Sequence, residues 1–139
     1  MARDVFHYIV REALEYDGWL ITHDPLIVRT SEIRMEVDLA GEQMFAAEKG
    51  MDYIVVEVKS FLTKSKLNKF YEAKGQYDLY KRGLRKIGSN RKLYLAVEDN
   101  TYDSFFTKSI IQETLEEDKI SVIIFNSQTK RIVKWINND

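Results

Sequence analysis

The sequence has no cysteine, one proline and six glycines in 139 residues. Without cysteine there is no disulfide framework, no zinc–thiolate centre and no thiol nucleophile. Histidine is equally sparse: His7 and His23 are too few for a His-rich metal site. No glycine-rich phosphate loop is present, which argues against an NTPase. No apolar run approaches the ~18 residues that a membrane span needs. The opening residues, MARDVFHYIV, carry polar and charged groups throughout rather than a signal-peptide core. The expected location is therefore the cytoplasm. What the chain does have is 45% hydrophobic, 12% aromatic and 31% charged residues, the composition of a folded protein. A chain of this length buries roughly two-thirds of its unfolded surface. It is expected to form a single domain over residues 1–139.

Net charge is −1, yet the charge is segregated. Ten basic residues fall between Lys64 and Lys92, opposed only by Glu72 and Asp78, whereas Glu98–Asp118 holds seven acids against Lys108. Phe70, Tyr71, Tyr77 and Tyr80 are interleaved with the basic residues. This pattern suits a phosphate-binding surface. An ordinary solvated helix face accounts for the same pattern.

Hydrophobic spacing outlines the elements. Val5, Phe6, Ile9, Val10, Ala13 and Leu14 predict a helix over 3–16, stopped by Gly18. Trp19–Thr22 reads as a short strand broken at Asp24-Pro25, with Ile27–Arg29 extended beyond it. Met35–Leu39 reads as a second strand ending at Ala40-Gly41, and Met44–Ala47 as another, with a turn at Glu48-Lys49-Gly50. Tyr53–Ser60, YIVVEVKS, is β-branched and continuous, and is expected at the centre of the sheet. A long helix from Lys66 to about Leu84 is expected to turn Leu67, Phe70, Tyr71, Tyr77 and Leu84 inward. Lys92–Val97 reads as a strand and Tyr102–Leu115 as an amphipathic helix. Ser121–Phe125 and Arg131–Ile136 close the chain around a Ser127–Lys130 turn. The expected fold is α/β, a central mixed sheet flanked by helices, with an antiparallel front meander and a parallel crossover through the long helix.

One strand carries chemistry. Alternation in YIVVEVKS puts Ile54, Val56 and Val58 on one face and Tyr53, Val55, Glu57 and Lys59 on the other. A buried charge needs a partner, a metal or water. Asp38, between Val37 and Leu39, offers a second carboxylate from a neighbouring strand. Two such carboxylates suit Mg²⁺, which takes oxygen ligands and keeps several waters. A lysine beside them suits a phosphate or a metal-bound water. The acid-x-Lys pattern alone has little specificity: it occurs three times, as Glu57/Lys59, Glu72/Lys74 and Glu117/Lys119. The other two fall on helix patterns and read as surface charges. A structural Glu57–Lys59 pair at a strand end is the plain alternative.

This order of elements, with Asp38 on one strand and Glu57-Val58-Lys59 on the next, resembles the PD-(D/E)xK nuclease superfamily, whose core is restriction-endonuclease-like or tRNA-endonuclease-like. The proline usual before the aspartate is replaced by Val37. GQYDLY supplies Gln76 and Tyr80 four apart on one helical face, as in phage-exonuclease-like branches. Those branches also carry a first-helix glutamate, for which Glu12 and Glu15 both stand. The segments VFHYIVREALEYDGWLITHDPL, VDLAGEQMFAAEKG, IVVEVKSFL, LYLAVEDNTYDSFF and IVKWI further resemble the XisH family of cyanobacterial excision controlling factors, over essentially the whole chain.

The resemblance implies a role in programmed excision of a DNA element, with DNA and the XisI protein as partners and a homodimer as a further expectation. The site it implies uses Asp38, Glu57, Lys59 and Gln76 as catalytic residues. Asp38, Glu57 and the Val58 carbonyl would be ligands to Mg²⁺ or Mn²⁺. Lys64, Lys66, Lys69, Lys74, Lys81, Arg82, Arg85 and Lys86 would lie along the DNA backbone. The alternative is a non-catalytic regulator that uses a nuclease fold to bind XisI or DNA. Elsewhere, Asp24-Pro25 reads as a turn and His7 as a partly buried core residue. Glu42 and Glu48 read as surface charge, and Trp19 and Trp135 as core aromatics.

Overall fold

The computed structural model describes residues 3–45 and 50–139. Helix α1 (His7–Tyr16) is followed by strands β1 (Leu20–His23), β2 (Leu26–Arg29), β3 (Arg34–Val37), β4 (Leu39–Phe45) and β5 (Gly50–Val58). Helix α2 (Lys66–Lys86) leads to β6 (Lys92–Glu98). A short helix α3 (Asp99–Thr101), a π-helical turn (Tyr102–Phe106) and α4 (Ser109–Glu117) precede β7 (Val122–Asn126) and β8 (Arg131–Ile136). Six strands form one sheet in the order β1-β4-β5-β6-β7-β8. The β5/β6 and β6/β7 pairs are parallel, and the other three are antiparallel. The expected mixed sheet between helices is therefore what forms.

Strand alternation sorts the core into two layers. Val55, Leu93, Leu95, Val97, Val122 and Ile124 meet α2, α4 and the β2–β3 hairpin on one face. Ile54, Val56, Val58, Tyr94, Ala96 and Ile123 meet Val10 and Leu14 of α1 on the other. A sheet covered on both faces explains why β5 reads as a near-continuous apolar run. Helix α1 ends where expected: Gly18 sits at φ +93°, the Gly18 amide donates to the Glu15 carbonyl and the Trp19 amide to that of Leu14. These are the two bonds of a Schellman cap, and glycine is the residue that enters its left-handed position at least cost.

Several expectations need correction. Met35–Leu39 is not one strand. The chain breaks at Asp38, so β3 pairs only with β2 in a separate hairpin, while Ala40 and Gly41 lie inside β4. Residues 46–49, which hold the end of the expected Met44–Ala47 strand and most of its turn, lie outside the described residues. The central strand stops at Val58, leaving Lys59 and Ser60 just past its end. On α2 the buried stripe is Phe70, Ala73, Tyr77, Tyr80 and Leu84, whereas Leu67 and Tyr71 are exposed. Tyr71 is one residue, about 100° of helix, away from that stripe. The expected helix Tyr102–Leu115 is interrupted at Lys108, whose ψ of 139° is extended. The Gln112 side chain covers the break by donating to the Phe106 carbonyl and the Tyr102 hydroxyl.

Candidate functional site

The antiparallel register of β4 with β5 pairs Leu39 with Val56. One step further along the same register, Asp38 comes opposite Glu57. The two residues interlock: the Asp38 amide donates to Glu57 Oε1 at 3.4 Å, and the Val58 amide donates to Asp38 Oδ2 at 2.7 Å. Glu57 is 6% exposed and Lys59 is 7% exposed, so both charges are largely desolvated. Lys59 Nζ lies 3.6 Å from Glu57 Oε2 and 3.2 Å from Glu72 Oε1. Burial above all, and the Asp38 charge next, raise Glu57 from the ordinary 4.5 to about 8, against the opposing pull of Lys59. Glu72 is held below its ordinary value. Burial works against this, but the hydrogen bond and charge of Lys59 outweigh it.

The segment just beyond Lys59 fixes its position. Phe61 is fully buried at φ +55° and packs edge-on against Phe106 with ring centroids 5.3 Å apart. A bulky residue in the left-handed region is uncommon, and packing of the ring accounts for it here. The Ser60 amide donates to Asp4 Oδ2, which ties the segment to the N-terminal residues.

Behind Asp38 lies a second charged group. His7 is fully buried, rather than partly buried as expected from the sequence. Its Nδ1 is 4.0 Å from Asp38 Oδ1 and has no hydrogen-bond partner among the described residues, and its Nε2 is 2.7 Å from Asp24 Oδ1. Asp24 also receives Arg3 and Arg11 at 2.5 and 2.7 Å. Burial opposes ionisation of Asp24, but the hydrogen bond from Arg11 and the neighbouring His7 and Arg3 hold its carboxyl below the ordinary range. Asp24 thus does more than initiate a turn. Charged and polar groups line up from Glu72 through Lys59 and Glu57 to Asp38, and, across a 4.0 Å gap with no hydrogen bond, from His7 to Asp24.

The remaining expected site residues are scattered. Gln76 is half-buried on α2, and its Oε1 has no hydrogen-bond partner among the described residues. Tyr80 is buried one turn on, and its hydroxyl is pushed well above the ordinary value by burial and by Glu57 and Asp38. Neither first-helix glutamate is engaged at the site: Glu12 pairs with Lys130 and Glu15 with Arg11. The residues reaching the site from this end are Asp4 and His7. Of the basic residues, Lys69 leans on Glu72, Lys74 pairs with Asp118 at 2.8 Å, and Lys81 donates to the Lys119 carbonyl. Arg82 lies 3.8 Å from Asp78. Lys64, Arg85 and Lys86 are exposed, and Lys66 is half-buried at the start of α2. The acidic C-terminal half therefore neutralises part of the basic stretch.

Glu72 reads as surface charge in the sequence, and the signal that points to it is the need of Lys59 for a counter-charge. Among the described residues, no three His, Cys, Asp or Glu side chains cluster as a metal site. The donors fit a hard divalent ion only as two carboxylates with a backbone carbonyl, water completing the shell.

A mixed sheet with helices on both faces defines an α/β protein, and Asp38, Glu57 and Lys59 gather at the end of its strand β5. The family model described as XisH protein matches residues 1–133, and the chain belongs to this family. It is similar to an XisH family protein from Nostoc punctiforme PCC 73102, with 38% identity and a TM-score of 0.87 over 96% of this chain and all of that one. It is equally similar, over 97% of its length and all of the other chain, to a protein from Anabaena variabilis described as a fdxN element excision controlling factor, again at 38% identity and TM-score 0.87. No curated protein matches the sequence.

Proposed function

We propose that this chain, like the relative from Anabaena variabilis described as a fdxN element excision controlling factor, acts in the excision of a DNA element, and that Asp38, Glu57 and Lys59 form a phosphodiesterase site. The observation that supports this most is the register that sets Asp38 opposite Glu57 with Lys59 at the same strand end. The Asp38 charge opposes ionisation of the buried Glu57, and a cation between them would relieve that repulsion. Asp38, Glu57 and the Val58 carbonyl would hold Mg²⁺ or Mn²⁺, which supplies Lewis-acid polarisation of a phosphate. Lys59 faces the negative charge that develops on a phosphate under attack. Glu72, half-exposed at the mouth, holds the ammonium until a phosphate displaces it. Gln76 supports the site from α2, and the exposed cations of α2 hold the DNA backbone.

A second reading has an observation of its own. Asp38 and Glu57 each already accept a backbone amide from the other's strand, and Lys59 already has two carboxylate partners. A self-satisfied cluster of this kind suits a non-catalytic factor that binds XisI or DNA. The test is cleavage of supercoiled, linear and single-stranded DNA with Mg²⁺ or Mn²⁺, with and without XisI. Under the first reading Glu57→Ala/Lys59→Ala lowers the rate by about 10³-fold or more, since it removes both the cation's ligand and the phosphate's counter-charge. Absence of cleavage in every condition, with wild type and variant binding DNA and XisI alike, establishes the second.

A further inference from the structure

The opposite end of the sheet, where β5, β6 and β7 begin, holds features that the excision site does not use. Two cavities open there. One, of about 650 Å³, lies beneath the C-terminal half of α2 and is lined by Lys81, Arg85, Arg91 and Lys92 among others. The other, of about 330 Å³, lies on the α1 face and is walled by Trp19, Tyr94 and Trp135. Asp52, Tyr53 and Lys92 line both, so the two cavities meet around the end of the sheet.

The two halves differ in chemistry. On the first side the Arg91 guanidinium lies 5.7 Å over the Tyr53 ring, and its buried Nη1 has no hydrogen-bond partner among the described residues. Arg91 lines the cavity and forms no ion pair among the described residues, so an anionic oxygen there would serve as its counter-charge. Arg85 is exposed beside it and forms no ion pair among the described residues. Lys92 is already held by Asn137 and Asp139, and Lys81 by a backbone carbonyl. On the second side, Trp135 lies 5.7 Å from Trp19 and 5.0 Å from Tyr94, forming an aromatic wall.

We propose that this end of the molecule binds a nucleotide, its phosphate on Arg85 and Arg91 and its base against the half-buried Trp135, which packs on the buried Trp19 and Tyr94. Planar guanidinium groups match phosphate oxygens two at a time, and aromatic rings stack on any base. Asp52, at the junction, accepts hydrogen bonds from ribose hydroxyls or a base amine. The proposal does not depend on the phosphodiesterase reading.

The chain's two tryptophans both line the aromatic cavity, so intrinsic fluorescence reports on it directly. Titration of the full chain with AMP is expected to give saturable quenching, which inorganic phosphate reverses by competition. Adenosine, lacking the phosphate, binds at least about ten-fold more weakly. Arg85→Ala/Arg91→Ala weakens AMP by about ten-fold or more, and Arg91→Lys, which keeps charge but loses the planar fork, weakens it by a few-fold. Circular dichroism confirms that both variants fold. Glu57→Ala/Lys59→Ala leaves AMP binding unchanged. A 5′-phosphorylated dinucleotide binding more tightly than AMP assigns the site to strand ends, and the reverse order assigns it to free nucleotides. No saturable quenching at millimolar AMP, or equal binding by the double-arginine variant, overturns the proposal.

Discussion

The two ends of the sheet handle charge in opposite ways. Where β5 ends, Glu57 and Lys59 are buried and every charge leans on another protein group. Where β5 begins, Arg85 stands in solvent and Arg91 lines an open cavity, with no ion pair to either among the described residues. Desolvation makes charges at the first end expensive to separate and sensitive to their neighbours' protonation. Solvation of Arg85 at the second leaves that cation available for reversible binding at little cost to the fold. Substitutions at the two ends should therefore fail differently, the first in stability and titration, the second in ligand affinity.

The largest stability effect is expected at Asp24, which joins His7, Arg3 and Arg11 behind the site. Asp24→Ala should cost about 2–4 kcal/mol at pH 7, because it strips a buried ring and two cations of their shared acceptor. The Asp24 carboxyl is held below its ordinary value, so its contribution is fully present above the ordinary carboxylate range. It is lost as pH falls through the depressed folded value. Urea unfolding at pH 7 and again near pH 2 should show the gap between wild type and variant closing only at the acid end. An undiminished gap there would mean that packing, not charge, is what Asp24 supplies.

Glu57 should behave in the reverse sense. Its folded value of about 8 lies above the ordinary 4.5, so between those values the folded chain keeps a proton that the unfolded chain has released. Stability therefore falls as pH rises through that window. Glu57→Gln removes the slope, and at pH 8 it should be more stable than wild type by roughly 1–3 kcal/mol, a Tm gain of several degrees. Mg²⁺ should raise the Tm of wild type but not of Glu57→Gln, narrowing the difference. A Glu57→Gln variant less stable than wild type at pH 8 would show that Lys59 keeps the glutamate ionised.

The smallest stability effect is expected on the solvated face of α2. Arg82→Ala/Lys86→Ala should leave unfolding within about 0.5 kcal/mol of wild type. If α2 lies along a DNA backbone, the same variant should reduce the slope of log affinity against log salt by about 1–2. An unchanged slope would remove these two cations from the DNA-contacting surface.

Much of the arrangement was legible in the chain itself. The alternation Ile54, Val56, Val58 against Val55 and Glu57 correctly sorted β5 between two core layers. The same pattern, with the run IVVEVKSFL, marked the family and the candidate site residues. These signals are local, because strand and helix periods repeat within a few residues. What the sequence left open was everything set by contacts between distant segments. Asp38 faces Glu57 through the β4–β5 register, which pairs Leu39 with Val56. Asp24, a turn former by its sequence, reaches His7 across 17 positions, and Glu72 finds Lys59 from another element. Lys74 is drawn off the basic stretch by Asp118. Periodicity dictates which way a side chain points, but the partner it meets depends on how the elements pack, and at buried charges the partner determines the chemistry.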